Sequence, residues 1–130
     1  MDQIYKNSEG YLDPTAGSAL RYGYMPIVYV CSKYRGDVET NLDNARMYSR
    51  YAMQQGYIPI APHLLLPQFV NEETERDLAL FMGRVLMSRC SEVWVFGDEY
   101  SEGMREEIAY AAKKEKIIRF ISEEEMTCMQ

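Results

Sequence analysis

The chain is predicted to fold as an α/β three-layer sandwich: a parallel sheet of four to five strands with helices on both faces, in flavodoxin-like or Rossmann-like topology. Three observations lead there. Apolar runs at Ile27–Cys31, Tyr57–Ile60, Val93–Phe96 and Ile117–Ile121 alternate with longer segments of helical periodicity, the pattern of a parallel sheet with right-handed crossovers. The first run is continuously apolar and β-branched, as a strand buried on both faces requires. A chain of 130 residues, 47% hydrophobic and 26% charged, supplies one core and not two.

Each element then follows in order. Residues 1–25 differ from the rest: Asn7, Gly10, Pro14, Gly17 and Gly23 interrupt them, and their apolar content is largely tyrosine. They are set apart as an N-terminal extension, either a loose arm or a strap on the domain or on a second subunit. The domain proper spans 26–122. After the first strand, Asp37 is placed to cap a helix whose face carries Leu42, Ala45, Ser49 and Ala52 and which Gly56 ends. Tyr57–Ile60 contains Pro59, which has no N–H to donate, so this strand belongs at an edge. Thr74 and Asp77 have the spacing of a capping box, and Leu78, Phe81, Met82, Val85 and Leu86 form the apolar stripe of a second helix. Val93–Phe96 is the third strand and Met104–Lys114 the third helix. Ile117–Ile121 is the fourth strand, and 123–130 reads as an acidic tail without lasting structure.

In such a sheet ligands bind beyond the C-terminal strand ends, where the strand order reverses. That singles out three loops: Ser32–Asp37, Ala61–Asn71 and Gly97–Gly103. The first leads into a helix N-terminus, which offers free N–H groups, and Arg35 adds a planar fork for phosphate or carboxylate, with Gly36 allowing close approach. The same residues also fit a tight turn with Arg35 paired to a surface acid. The second loop holds the sole histidine, His63, as a pocket-lining residue, with Gln68 and Tyr57 as weaker candidates. In the third, Ser101 and Gly103 stand where a helix begins. At about 100° per residue, Met104, Ile108, Ala111 and Ala112 share a face, Glu106 points away, and Glu107 falls at the apolar boundary one turn in. A carboxylate there is favoured by the helix dipole and, if partly buried, is a nucleophile or base candidate; the plainer reading is a surface glutamate. Glu72-Glu73 and Glu123–Glu125 read as solvated charge.

Composition excludes several classes. The net charge is −6 and no Lys/Arg block is present, so a nucleic-acid polymer is not an expected partner. Three cysteines, Cys31, Cys90 and Cys128, fit neither a zinc site nor a CxxC motif, so no metal is expected; Cys31 and Cys90 are read as core residues. No apolar run reaches the roughly 20 residues that cross a bilayer and no signal peptide is evident, which places the chain in the cytoplasm, away from membranes.

Taken together, Tyr34-Arg35-Gly36 after the first strand, Pro62-His63 after the second and Ser101-Glu102-Gly103-Met104-Arg105-Glu106-Glu107 after the third resemble the nucleoside 2-deoxyribosyltransferase-like superfamily. Within it the chain looks most like small uncharacterised bacterial and phage-associated domains with a Ser-Pro-Tyr-Arg-Gly loop, here Ser32-Lys33-Tyr34-Arg35-Gly36. The similarity runs from about Ile27 to Phe120. It implies Glu107 as the nucleophile on the sugar's anomeric carbon. It further implies Ser101, Gly103 and Met104 as the loop holding the sugar or its 5′-phosphate, with Tyr29, Ser32, Tyr34, Arg35 and Gly36 as first-loop contacts. The family's helix-two acid, which protonates the leaving base, falls near Met82-Gly83, where this chain has none. Asp77 and Asp98 are the candidates to replace it.

Two functions follow. One is an N-glycoside hydrolase or deoxyribosyltransferase acting on a nucleoside or (deoxy)nucleoside 5′-monophosphate, without a cofactor. The other is a catalytically silent nucleotide-binding module. A flavin carrier fits less well, because no Ser/Thr-rich phosphate loop follows the first strand. A homodimer or higher homo-oligomer is expected, its second subunit completing the pocket.

Overall fold

The structure, a computed structural model, describes residues 23–128; the N-terminal extension up to residue 22 lies outside the described residues. Four strands form one wholly parallel sheet in the order β2-β1-β3-β4, with β1 at Ile27–Cys31, β2 at Ile58–Ile60, β3 at Glu92–Phe96 and β4 at Ile117–Ile121. The helices are α1 (Val38–Gln54), the short α2 (Pro62–Leu65) running into a 3₁₀ turn, α3 (Arg76–Ser88), α4 (Glu102–Lys113) and α5 (Glu123–Cys128).

Residues alternate across the central strands and build a core on each side. Val28, Val30, Trp94, Phe96 and Ile121 pack under Tyr48, Tyr51 and Ala52 of α1 and Met126 of α5. Tyr29, Cys31, Val93 and Val95 pack under Met87 of α3 and Met104 and Ala111 of α4. This is the three-layer α/β sandwich expected. β1 and β3 are nearly wholly buried while β2, carrying Pro59, takes an edge.

Local chemistry explains the boundaries. The Asp37 side chain accepts from the Thr40 N–H and caps α1, and Gly56, at φ +91°, turns the chain after it. Cys31 and Cys90 are buried free thiols, as read from the sequence.

Three expectations are corrected. Thr74 and Asp77 form no capping box. Asn71 Oδ1 instead accepts from the Glu73 and Thr74 N–H groups while Glu75 Oε1 accepts from the Asn71 N–H, a reciprocal cap one loop earlier. The supposed core stripe of α3 is largely solvent-facing: Leu78, Phe81 and Val85 are exposed, and the side toward the sheet is made by Gly83 and Met87. The acidic tail is helical in α5, because Met126 beneath Glu123–Glu125 is buried against Trp94's side of the sheet.

Candidate active site

The order β2-β1-β3-β4 places the chain reversal between β1 and β3, where the C-terminal strand ends splay their loops to opposite faces. A cleft opens on each side of this point. The one beneath α1, of ≈ 400 Å³, is lined by Lys33, Asp98, Glu99, Glu123 and neighbours, and Lys33 and Glu99 pair at 3.3 Å across it. The one between α3 and α4, of ≈ 460 Å³, gathers residues of all three suspect loops. This second cleft holds a carboxyl pushed far from its ordinary state.

That carboxyl is Glu107. Ser101 caps α4 by accepting from the Met104 N–H at 3.2 Å, which starts the helix at Glu102 and turns Glu107 back over β1. There the Tyr29 hydroxyl donates to Oε2, and the Cys31 thiol lies 3.6 Å from Oε1. Burial pushes the Glu107 carboxyl up to about 7, against the downward pull of the Tyr29 and Cys31 hydrogen bonds, with Glu106 adding a small upward push. The partners respond in kind: burial first and the Glu107 charge second hold the Tyr29 hydroxyl and the Cys31 thiol well above their usual values. Both therefore stay protonated donors. α3 passes closely above, since a Cβ on Gly83 would meet the Tyr29 hydroxyl at 3.7 Å.

The opposite wall is aromatic. Tyr34 and His63 stack with centroids 4.9 Å apart and planes at 26°. His63 Nε2 lies 2.9 Å from the Ser32 carbonyl. A carbonyl only accepts, so Nε2 carries the proton and Nδ1 keeps its lone pair. Burial lowers the His63 pKa, partly offset by that bond, so the ring is neutral near pH 7. The Ser32 hydroxyl is buried without a partner among the described residues and lines the cleft, a donor and acceptor left for a ligand.

Of the residues singled out from sequence, Tyr29, Ser32, Tyr34, Arg35, His63, Ser101, Gly103, Met104 and Glu107 come together in this cleft. Gly36 does not line it; at φ +100° with open space around it, it shapes the turn. Asp77 is exposed on α3 outside the cleft and Asp98 lines the other one, so neither stands beside Glu107. Tyr57 belongs to the opposite face, packed on Trp94 and donating to Glu92 at 3.1 Å, and Gln68 is exposed.

Sequence reasoning missed Glu72, Arg76, Arg84 and Tyr110, all of which line the cleft. The Arg84 guanidinium sits 4.8 Å over the Tyr110 ring. The available signal was two arginines on the Gly83 side of an otherwise apolar helix. Among the described residues no group of three or more His, Cys, Asp or Glu is arranged to hold a metal, and no helix is long and apolar enough to cross a membrane.

A family model described as a domain of unknown function (DUF7768) matches residues 26–121. No curated protein matches the chain. Among solved structures the chain is similar to a 2-deoxyribosyltransferase from the psychrotolerant bacterium Bacillus psychrosaccharolyticus, described as a biocatalyst for the synthesis of antiviral and antitumoral nucleosides. The TM-score is 0.62 and the identity 14%, over 73% of this chain and 71% of that one. At that identity the likeness is one of fold.

Proposed function

The chain belongs to this family of domains of unknown function, and on that premise we propose that it cleaves or transfers at the N-glycosidic bond of a (deoxy)nucleoside 5′-monophosphate, with Glu107 as nucleophile. The observation that carries the reading is the Glu107 carboxyl, set half-buried into a cleft with one oxygen held by the Tyr29 hydroxyl and the other, among the described residues, near only a weak thiol donor. Supporting it is the fold shared with a 2-deoxyribosyltransferase.

The chemistry follows from these residues. With Tyr29 holding Oε2, Oε1 is free to attack C1′ of the sugar as the C1′–N bond breaks and its electron pair leaves with the base. The product is a glycosyl ester on Glu107, as in retaining glycosidases. Water, or a nitrogen of a second base, then attacks C1′ and returns the carboxylate. The Tyr34–His63 stack is a flat surface for the base. Arg35, Arg76 and Arg84 line the cleft as cations for the 5′-phosphate. Glu107 is poised to titrate near neutral pH, so a dianionic phosphate bound nearby would raise its pKa and an arginine paired with that phosphate would offset the rise.

The absence of Asp77 and Asp98 from the cleft favours a second reading, a nucleotide-binding module without turnover, since a leaving base needs a proton. Purified protein incubated with each nucleoside and deoxynucleoside 5′-monophosphate, with free base followed by chromatography, decides between them. Base release that Glu107→Gln abolishes is the outcome of the first reading. Thermal stabilisation by a nucleotide without base release sinks it in favour of the second.

A further inference from the structure

Two adjacent glutamates in the loop before α3 part company. Glu73 is exposed, as are Thr74 and Glu75 after it, whereas Glu72 is half-buried and lines the cleft between α3 and α4. The loop's own hydrogen bonds set this difference. Asn71 Oδ1 accepts from the Glu73 and Thr74 N–H groups at 2.9 Å and 3.2 Å, and Glu75 Oε1 accepts from the Asn71 N–H at 2.8 Å. Val70, buried just before them, anchors the turn. Asn71 and Glu75 are thereby occupied by the backbone, and Glu72 is left facing the cavity.

The Glu72 carboxylate makes no hydrogen bond or salt bridge among the described residues, although Arg35 and Arg76 line the same cleft. A carboxylate only accepts, so its acceptor capacity is open to a ligand. Its charge reaches Tyr34: burial first, and the Glu72 charge second, hold the Tyr34 hydroxyl above its usual value. Tyr34 is half of the stack with His63. The carboxylate therefore borders the flat wall of the cleft. A dianionic phosphate placed there would meet a like charge, whereas a neutral base can present N–H groups from its edge.

Resting on the reading of this cleft as a nucleotide site, we propose that Glu72 selects the base. Its carboxylate accepts from the exocyclic amino group of a base stacked against Tyr34 and His63, so the ligand is a nucleotide of an amino-bearing base and not of its carbonyl counterpart. Cytosine and adenine carry an amino group where uracil and hypoxanthine carry a carbonyl oxygen. An oxygen in that place would meet the carboxylate acceptor to acceptor, with both groups unpaired. Hydrogen bonds to an ionised group are the stronger kind, which sets the preference at about tenfold or more.

Isothermal titration calorimetry against two matched pairs tests this: deoxycytidine with deoxyuridine 5′-monophosphate, and deoxyadenosine with deoxyinosine 5′-monophosphate. The full chain carries Glu107→Gln throughout, so that no turnover enters the heats. In whichever pair binds more tightly, the amino-bearing member should bind about tenfold or more tightly than the other. Adding Glu72→Gln, whose amide can turn its N–H groups to a carbonyl, should bring the two affinities together while far-UV circular dichroism stays unchanged. Adding Glu73→Gln, on the solvated neighbour, should leave the ratio as it was. Equal affinities within the pair overturn the proposal and leave the nucleotide reading standing. A preference that survives in a folded Glu72→Gln chain does the same. Failure of all four nucleotides to bind overturns the nucleotide reading and this proposal with it.

Discussion

Replacing Glu107 by Gln should make the protein more stable at neutral and alkaline pH, by an amount that disappears in acid. The carboxyl moves from 4.5 in the unfolded chain to about 7 in the folded one, chiefly through burial. A folded acid with a raised pKa binds a proton that the unfolded chain has already released. Stability is therefore full below pH 4.5, falls as pH rises from 4.5 to 7, and stays at the lower level above. At 1.36 kcal/mol per pH unit the difference is about 3 kcal/mol. Gln cannot ionise, yet its carbonyl oxygen still accepts from the Tyr29 hydroxyl, so the variant lacks this loss. The assay is urea unfolding of both proteins at half-unit steps from pH 4 to 9. Trp94, the single tryptophan and fully buried, reports through its fluorescence. Titrating groups not coupled to Glu107 cancel in the difference between the two curves. That difference should be small at pH 4 and grow to about 3 kcal/mol by pH 8, or roughly 10 °C in Tm for a chain of this size. A difference independent of pH would mean that Glu107 is solvated as an ordinary surface carboxyl, and the reasoning about the cleft would fail with it. A difference growing toward acid would mean that hydrogen bonding outweighs burial.

Three further outcomes check separate parts of the account. Tyr29→Phe removes the hydroxyl that holds Glu107 and should cost about 1.5–3 kcal/mol at pH 8, where the carboxyl is charged, and less at pH 5; urea titrations at the two pH values measure it. Met126→Ala should destabilise by about 2–3 kcal/mol in the same experiment, as expected for a buried methionine, whereas an unstructured tail would give no change. Ser101→Ala should cost about 1 kcal/mol through the lost cap of α4, with Ser101→Asp restoring most of it.

The sheet was legible in the sequence because its signals are local. Ile27–Cys31 and Val93–Phe96 are apolar on both faces, and Pro59 excludes its strand from the centre. What the sequence concealed depended on contacts between distant segments. Met126 sits behind three consecutive glutamates, and a helix with one apolar anchor has too short a period to announce itself. α3 carries enough apolar residues to suggest that Leu78, Phe81 and Val85 face the core, but the side toward the sheet is made by Gly83 and Met87. The three loops of the site were readable from the rule that parallel sheets bind ligands where strand order reverses. Six of the positions named in them, with Tyr29 of β1 and Met104 and Glu107 of α4, do meet in one cleft. Arg76 and Arg84 escaped because nothing in a helix's own periodicity tells which solvent-facing side overlooks a cavity. Asp77 and Asp98 were named as stand-ins for the acid that the resemblance implies near Met82-Gly83; Asp77 is exposed on α3 outside the cleft and Asp98 lines the other cleft.

A covalent intermediate on Glu107 is the most direct test of the central claim. Intact-mass spectrometry of the protein after incubation with 2′-fluoro-2′-deoxynucleoside 5′-monophosphates would detect it, because fluorine destabilises the oxocarbenium-like transition state and slows breakdown of the ester. The account predicts a mass increase of one fluorodeoxyribosyl phosphate per chain, located by peptide mapping to Glu107 and missing from Glu107→Gln. A substrate that releases its base with no adduct, or with an adduct on another residue, would contradict it.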